Sequence, residues 1–73
     1  MSNELKITKL KLERVSRGIT QVALSVSARI PQPYLSRYES GIWIPREEDR
    51  IKLAKALGVP LKKIFPPNER KYA

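Results

Sequence analysis

The chain has 73 residues, with 15 Lys and Arg against 7 Asp and Glu, a formal net charge of +8, and neither cysteine nor histidine. A chain this short is expected to be one domain, residues 1–73, near the lower limit at which a single apolar core holds a fold. The missing cysteine and histidine exclude disulfides, thiolate or imidazole metal ligands, and Ser-His or Cys-His nucleophile pairs. No metal site, cofactor or catalytic residue is therefore expected, and the chain does not read as an enzyme. The positive excess attracts polyanions, whether DNA, RNA or an anionic membrane. Met1-Ser2-Asn3-Glu4-Leu5-Lys6 leads into alternating lysines and leucines rather than an apolar leader segment. No apolar run reaches membrane-spanning length, which points to the cytoplasm and to no membrane partner.

Leu5, Leu10, Leu12 and Val15 recur with rough helical spacing and predict a first helix from about Leu5 to Arg17, ended by Gly18 at C′. Thr20 is placed to N-cap a short second helix carrying Val22, Ala23, Leu24 and Val26. Pro31-Gln32-Pro33 fits a helix start, because first-turn N–H groups lack intrahelical acceptors. A third helix then runs to Ser40 and closes at Gly41. Pro45 opens a fourth, in which Ile51, Leu53, Ala54 and Leu57 face a core until Gly58. Pro60 starts a short fifth with Leu61, Ile64 and Phe65, Pro66-Pro67 stops it, and residues 68–73 read as a frayed polar tail.

Charge is unevenly placed along this order. The stretch from Arg14 to Tyr38 contains Arg14, Arg17, Arg29 and Arg37 and no acid, a local charge of +4. Glu47, Glu48 and Asp49 cluster at the start of the fourth helix, where a solvated position beside the positive N-terminal dipole suits them.

The third helix has two faces. With Gln32 at zero on a helical wheel, Ser36 falls at about 40°, Pro33 at about 100° and Arg37 at about 140°. Tyr34, Tyr38 and Leu35 fall at about 200°, 240° and 300°, with Glu39 flanking them at about 340°. The first face has the chemistry of major-groove readout. Gln pairs bidentately with adenine, Arg pairs with guanine, and an apolar ring meets a thymine methyl. Taken alone, Gln32 and Arg37 fit a solvated surface equally well.

The ordered set Arg14, Gly18, Thr20-Gln21, Leu24, Leu35-Ser36-Arg37-Tyr38-Glu39-Ser40-Gly41, Pro45 and Leu53-Ala54-Lys55-Ala56-Leu57-Gly58-Val59 resembles the Cro/CI-type (XRE-like, lambda-repressor-like) helix-turn-helix domains. The resemblance covers about Leu10 to Phe65 and implies an all-α, compact five-helix lambda-repressor-like bundle. It implies that Gln32, Pro33, Ser36 and Arg37 read bases, that Thr20, Gln21, Tyr34 and Ser40 contact phosphate, and that Arg46 is a nearby basic anchor. It further implies an ion pair between Arg14 and Glu39 beneath the motif.

Four departures from that pattern stand out. Arg29 occupies the turn position usually held by Gly, and a non-Gly residue in left-handed backbone costs roughly 1–2 kcal/mol. Pro31 replaces the Ser or Thr cap of the third helix. Glu47 and Arg50 sit where the fourth helix usually buries apolar side chains. Ile42-Trp43-Ile44 fills a loop in which relatives often carry Lys or Arg. Either Trp43 or Ile44 folds inward to replace the apolar contacts missing at Glu47 and Arg50, or some of the three form an exposed patch for another subunit or protein.

The leading reading is a sequence-specific double-stranded DNA-binding transcriptional regulator, a homodimer at least on DNA, addressing a pseudo-palindromic operator. The alternative is an antitoxin or adaptor-type interaction module that holds a protein partner through Ile42, Trp43 and Ile44. RNA is disfavoured because the tyrosines fall toward the core side of the third helix.

Overall fold

The computed structural model describes residues 7–67, and the expected tail at 68–73 lies outside them. Five helices follow in order: α1 Lys9–Ser16, α2 Gln21–Ala28, α3 Gln32–Ser40, α4 Glu47–Leu57 and α5 Leu61–Ile64, with no strand among the described residues. Helix α2 packs on α3 and α4, while α1 packs on α3 and α5 and α4 on α5. They enclose one core of Leu10, Leu24, Ala28, Ile30, Leu35, Tyr38, Leu53, Ala54, Leu57 and Ile64. Burying each of the larger aliphatic side chains contributes about 1.5–3 kcal/mol.

The first helix starts later than its apolar spacing suggests. Ile7 and Thr8 are not helical, and Thr8 is the N-cap, its hydroxyl accepting from Lys11 N at 3.1 Å. The same hydroxyl donates to the Glu39 carbonyl at 2.7 Å, so the start of α1 is fastened to the end of α3. The apolar pattern also misleads about the inner face, since Leu12 and Val15 are exposed and Leu10 alone of the α1 residues is buried. The inward positions after Leu10 are Glu13 and Arg14, both half-buried. Polar pairing there does the work that a fully apolar stripe would do elsewhere.

Thr20 caps α2, its hydroxyl accepting from Ala23 N at 3.0 Å. Leu24, Ser25 and Ala28 are the buried residues of α2, whereas Val22 and Val26 face outward. Arg29 ends the helix in left-handed backbone, φ 59° and ψ 47°, the turn position at which Gly was expected.

Helix α3 is capped by subtraction. Pro31 supplies no side-chain acceptor, but its carbonyl accepts from Tyr34 N and Leu35 N, both at 3.0 Å. Pro31 and Pro33 have no N–H, so Gln32 carries the single first-turn donor left over. At the other end Gly41, φ 82°, lets the Ile42 N–H reach the Arg37 carbonyl at 3.1 Å and its own N–H reach Tyr38, a Schellman closure.

Helix α4 buries Leu53, Ala54 and Leu57 as expected, but Ile51 is exposed and Asp49 takes an inward place. Asp49 is thus not part of a solvated helix start. Its carboxylate, 3% exposed as a residue, accepts from the Tyr38 hydroxyl at 2.6 Å. Arg50 is half-buried and donates to the Pro45 carbonyl at 3.0 Å, while Glu47 remains exposed. Trp43 and Ile44 do not fill the space in their stead; they are 40% and 49% exposed, and Ile42 is 69% exposed.

Two consequences are measurable. Arg29→Gly relieves roughly 1–2 kcal/mol of left-handed backbone strain and adds about 0.4–1 kcal/mol of unfolded-state entropy. The relief is the larger effect, so the midpoint of urea unfolding rises. Burial first, and then the hydrogen bond and negative charge of Asp49, push the Tyr38 phenol up to about 12. Because the folded value lies above the unfolded one of 10.0, this stabilisation is complete below pH 10 and is lost as pH climbs toward 12. Absorbance titration of phenolate is expected to show one tyrosine near pH 12, and Tyr38→Phe to abolish that step.

Candidate nucleic-acid interface

The outward side of α3 presents Gln32, Pro33, Ser36 and Arg37, all exposed, on a helix whose other side holds Leu35, Tyr38 and Glu39 in the interior. The wheel places these faces well except at two positions. Tyr34 is 43% exposed instead of facing the core, and Glu39 is 3% exposed instead of flanking it. Tyr34 turns toward the following loop, where its ring meets Trp43 edge-on with centroids 5.2 Å apart.

A continuous hydrogen-bonded path joins the buried side to the exposed one. Arg14 grips Glu39 bidentately, Nε to Oε2 at 2.6 Å and Nη2 to Oε1 at 3.0 Å, and its remaining Nη1 donates to the Ile19 carbonyl at 2.7 Å. Side-chain exposure is 11% for Arg14 and 2% for Glu39. Burying two charges is favourable only when their other hydrogen-bonding capacity is met. Here it is met by Ile19 and by Gln21, whose Nε2 donates to Glu39 Oε1 at 3.1 Å. Gln21 Oε1 in turn accepts from Gln32 Nε2 at 3.2 Å. The exposed amide of Gln32 is therefore oriented by a neighbour that is itself oriented by the ion pair.

Electrostatically the path neutralises the acid carried by α3 itself. Between Arg14 and Arg46 the sole carboxylate is Glu39, and Arg14 neutralises it in the interior. Arg37 stays exposed on the outward face. The Thr20 hydroxyl accepts at the start of α2 and keeps its own proton to donate. Ser40 is less available, since its hydroxyl donates to the Arg37 carbonyl at 3.2 Å. Arg46 is 67% exposed in its side chain but leans on the acids of α4, 3.6 Å from Asp49 and 3.9 Å from Glu48.

Sequence reasoning missed one participant and gave another a different role. Asp49 supports α3 from behind through Tyr38, and nothing in its local pattern separates it from Glu47 and Glu48. Trp43 touches Arg37, with Cζ 5.0 Å from the ring centroid. No group of His, Cys, Asp or Glu able to hold a metal occurs among the described residues. Nor is any helix among them long and apolar enough to cross a membrane.

Compared with known proteins, residues 10–64 match the model of a family described as helix-turn-helix, which spans α1 after its first residue through the end of α5. Neither a curated protein nor a solved structure matches the chain.

The buried pair sets an energetic expectation. Glu39→Ala strands the Arg14 charge and is expected to cost about 3–5 kcal/mol in chemical unfolding. Replacing both partners by methionine removes the stranded charge, so that double variant is expected to be more stable than Glu39→Ala.

Proposed function

Given that the chain belongs to the Cro/CI-type helix-turn-helix family of DNA-binding regulators, we propose that it binds a pseudo-palindromic double-stranded operator as a dimer, with α3 in the major groove. The observation that carries this reading is the outward face of α3, where Gln32, Ser36 and Arg37 stand exposed around a path of hydrogen bonds that fixes Gln32. Gln32 pairs with adenine, Arg37 with guanine O6 and N7, Pro33 meets a thymine methyl, and Ser36 supplies an adaptable hydroxyl.

Phosphate contacts set the register in which those bases are read. The start of α2 offers backbone N–H groups and its positive dipole, with Thr20 and Gln21 beside them. Tyr34, Ser40 and Arg46 act as further backbone contacts, Ser40 and Arg46 after exchanging an internal partner for phosphate.

Dimerisation draws support from the apolar surface beyond α3. Ile42 and Ile44 are exposed and, with Ile7 and Phe65, line a groove of about 590 Å³ between the α3–α4 loop and the end of α5. The groove begins where α3 ends, which suits a two-fold contact there between copies of the chain, and dimeric helix-turn-helix proteins address half-sites about one helical turn apart. The same surface supports the second reading, an antitoxin or adaptor holding a different protein there.

Selection from a random DNA pool separates the two. A palindromic consensus is expected, and failure to enrich any sequence favours the interaction module. On the selected site, Arg37→Ala is expected to weaken binding by about 1–3 kcal/mol and to relax preference at one base pair per half-site. A uniform loss on all sequences, measured by fluorescence anisotropy, makes Arg37 a phosphate contact instead.

A further inference from the structure

Arg37 is exposed, yet its guanidinium is held. Its Cζ lies 5.0 Å from the centroid of the Trp43 ring, the most effective aromatic partner for a cation. Trp43 is itself fixed on two sides. Tyr34 meets it edge-on, at 5.2 Å and 84° between planes, and Tyr38 lies tilted at 6.2 Å. Tyr38 is anchored in turn by Asp49, at 2.6 Å.

The backbone binds the same two residues together. The Trp43 N–H donates to the Arg37 carbonyl at 3.2 Å, beside the Ile42 N–H at 3.1 Å. The Schellman closure at Gly41 therefore determines where the indole sits relative to the arginine. Among the described residues no carboxylate pairs with Arg37, so none of them competes for its N–H donors.

We propose that Trp43 is a positioning residue for base recognition, holding the Arg37 guanidinium over the indole so that its N–H donors are presented to guanine before DNA arrives. The inference rests on the reading of Arg37 as a base contact and specifies how that contact gains its selectivity. A guanidinium held over an aromatic ring is attracted to it as a cation without committing its fork of N–H donors to a protein acceptor, and that fork is what guanine O6 and N7 require. Holding a flexible side chain beforehand removes part of the ordering cost of binding, and it does so for the one orientation that suits guanine. A lysine in place of Arg37 lacks the planar fork and does not reproduce this.

The test compares Arg37→Ala, Trp43→Leu and Trp43→Phe on the selected operator and on operators altered at each base pair of a half-site in turn, the deciding one being the base pair whose preference Arg37→Ala is expected to remove. Trp43→Leu is expected to reduce the discrimination ratio at that base pair by about three- to tenfold, with Trp43→Phe staying within about twofold of the parent. Affinity for unrelated DNA is expected to hold. Any loss of dimerisation lowers affinity for both operators of one variant and cancels in their ratio. Folded Trp43→Leu with the parent's discrimination overturns the positioning role while leaving Arg37 as a base reader. Discrimination unchanged in Arg37→Ala overturns both. The side-chain proton shifts of Arg37 in the parent protein give an answer that needs no variant to fold: upfield displacement by the indole ring is expected, and positions typical of a free arginine overturn the proposal.

Discussion

The bidentate contact between Arg14 and Glu39 joins α1 to α3 through an ion pair almost wholly withdrawn from solvent. Arg14 comes from α1 and Glu39 from the last turn of α3, and Arg14 also holds the Ile19 carbonyl just before α2. Glu39 then fixes Gln21 at the start of α2. One buried pair thus sets the mutual placement of α1, α2 and α3, including the two helices of the helix-turn-helix. The pair's desolvation is offset because each of its charged groups finds further partners, and Thr8 adds a contact from α1 to the Glu39 backbone.

A second polar contact supports α3 from the opposite side. Tyr38 reaches Asp49 in the first turn of α4, so α3 is fixed at successive residues, by Tyr38 to α4 and by Glu39 to α1 and α2. With a small apolar core, these directional contacts restrict rotation of α3 in a way that nonspecific burial does not. Rotation matters because a turn about the helix axis would redirect Gln32, Ser36 and Arg37 together. The rigid support of α3 and the exposure of its outward face are two aspects of the same packing.

The outward face is ordered by unlike means at its two ends. Gln32 is placed by the chain of amide and carboxylate contacts that starts at Arg14, whereas Arg37 lies against the indole of Trp43. Both arrangements leave donors and acceptors toward solvent. The loop residues Ile42-Trp43-Ile44 all line the groove beside α5, and the indole also packs against Tyr34 and Tyr38 of α3. A single short loop borders both the arginine and the apolar surface.

Much of this was legible in the sequence, for local reasons. Gly18, Gly41 and Gly58 end helices because glycine enters left-handed backbone without a Cβ penalty, and Thr20 caps because its hydroxyl reaches a nearby N–H. The order Gln32, Ser36, Arg37 along one helical face followed from helical spacing, and the helix-turn-helix family from the resemblance carried by an ordered set of residues. The later start of α1 and the exposure of Leu12, Val15 and Ile51 did not, because apolar periodicity gives a face but not its partner. Asp49 looked like its acidic neighbours until α3 brought Tyr38 to it, and Trp43 had no visible partner until Gly41 turned the loop back over Arg37. The sequence by itself determined where most helices end and which side chains one of them displays, since those depend on contacts within a few residues. Only the tertiary structure decided which charges are buried, which apolar residues stay exposed and what holds the displayed arginine, since each depends on groups brought together by packing from different helices and loops.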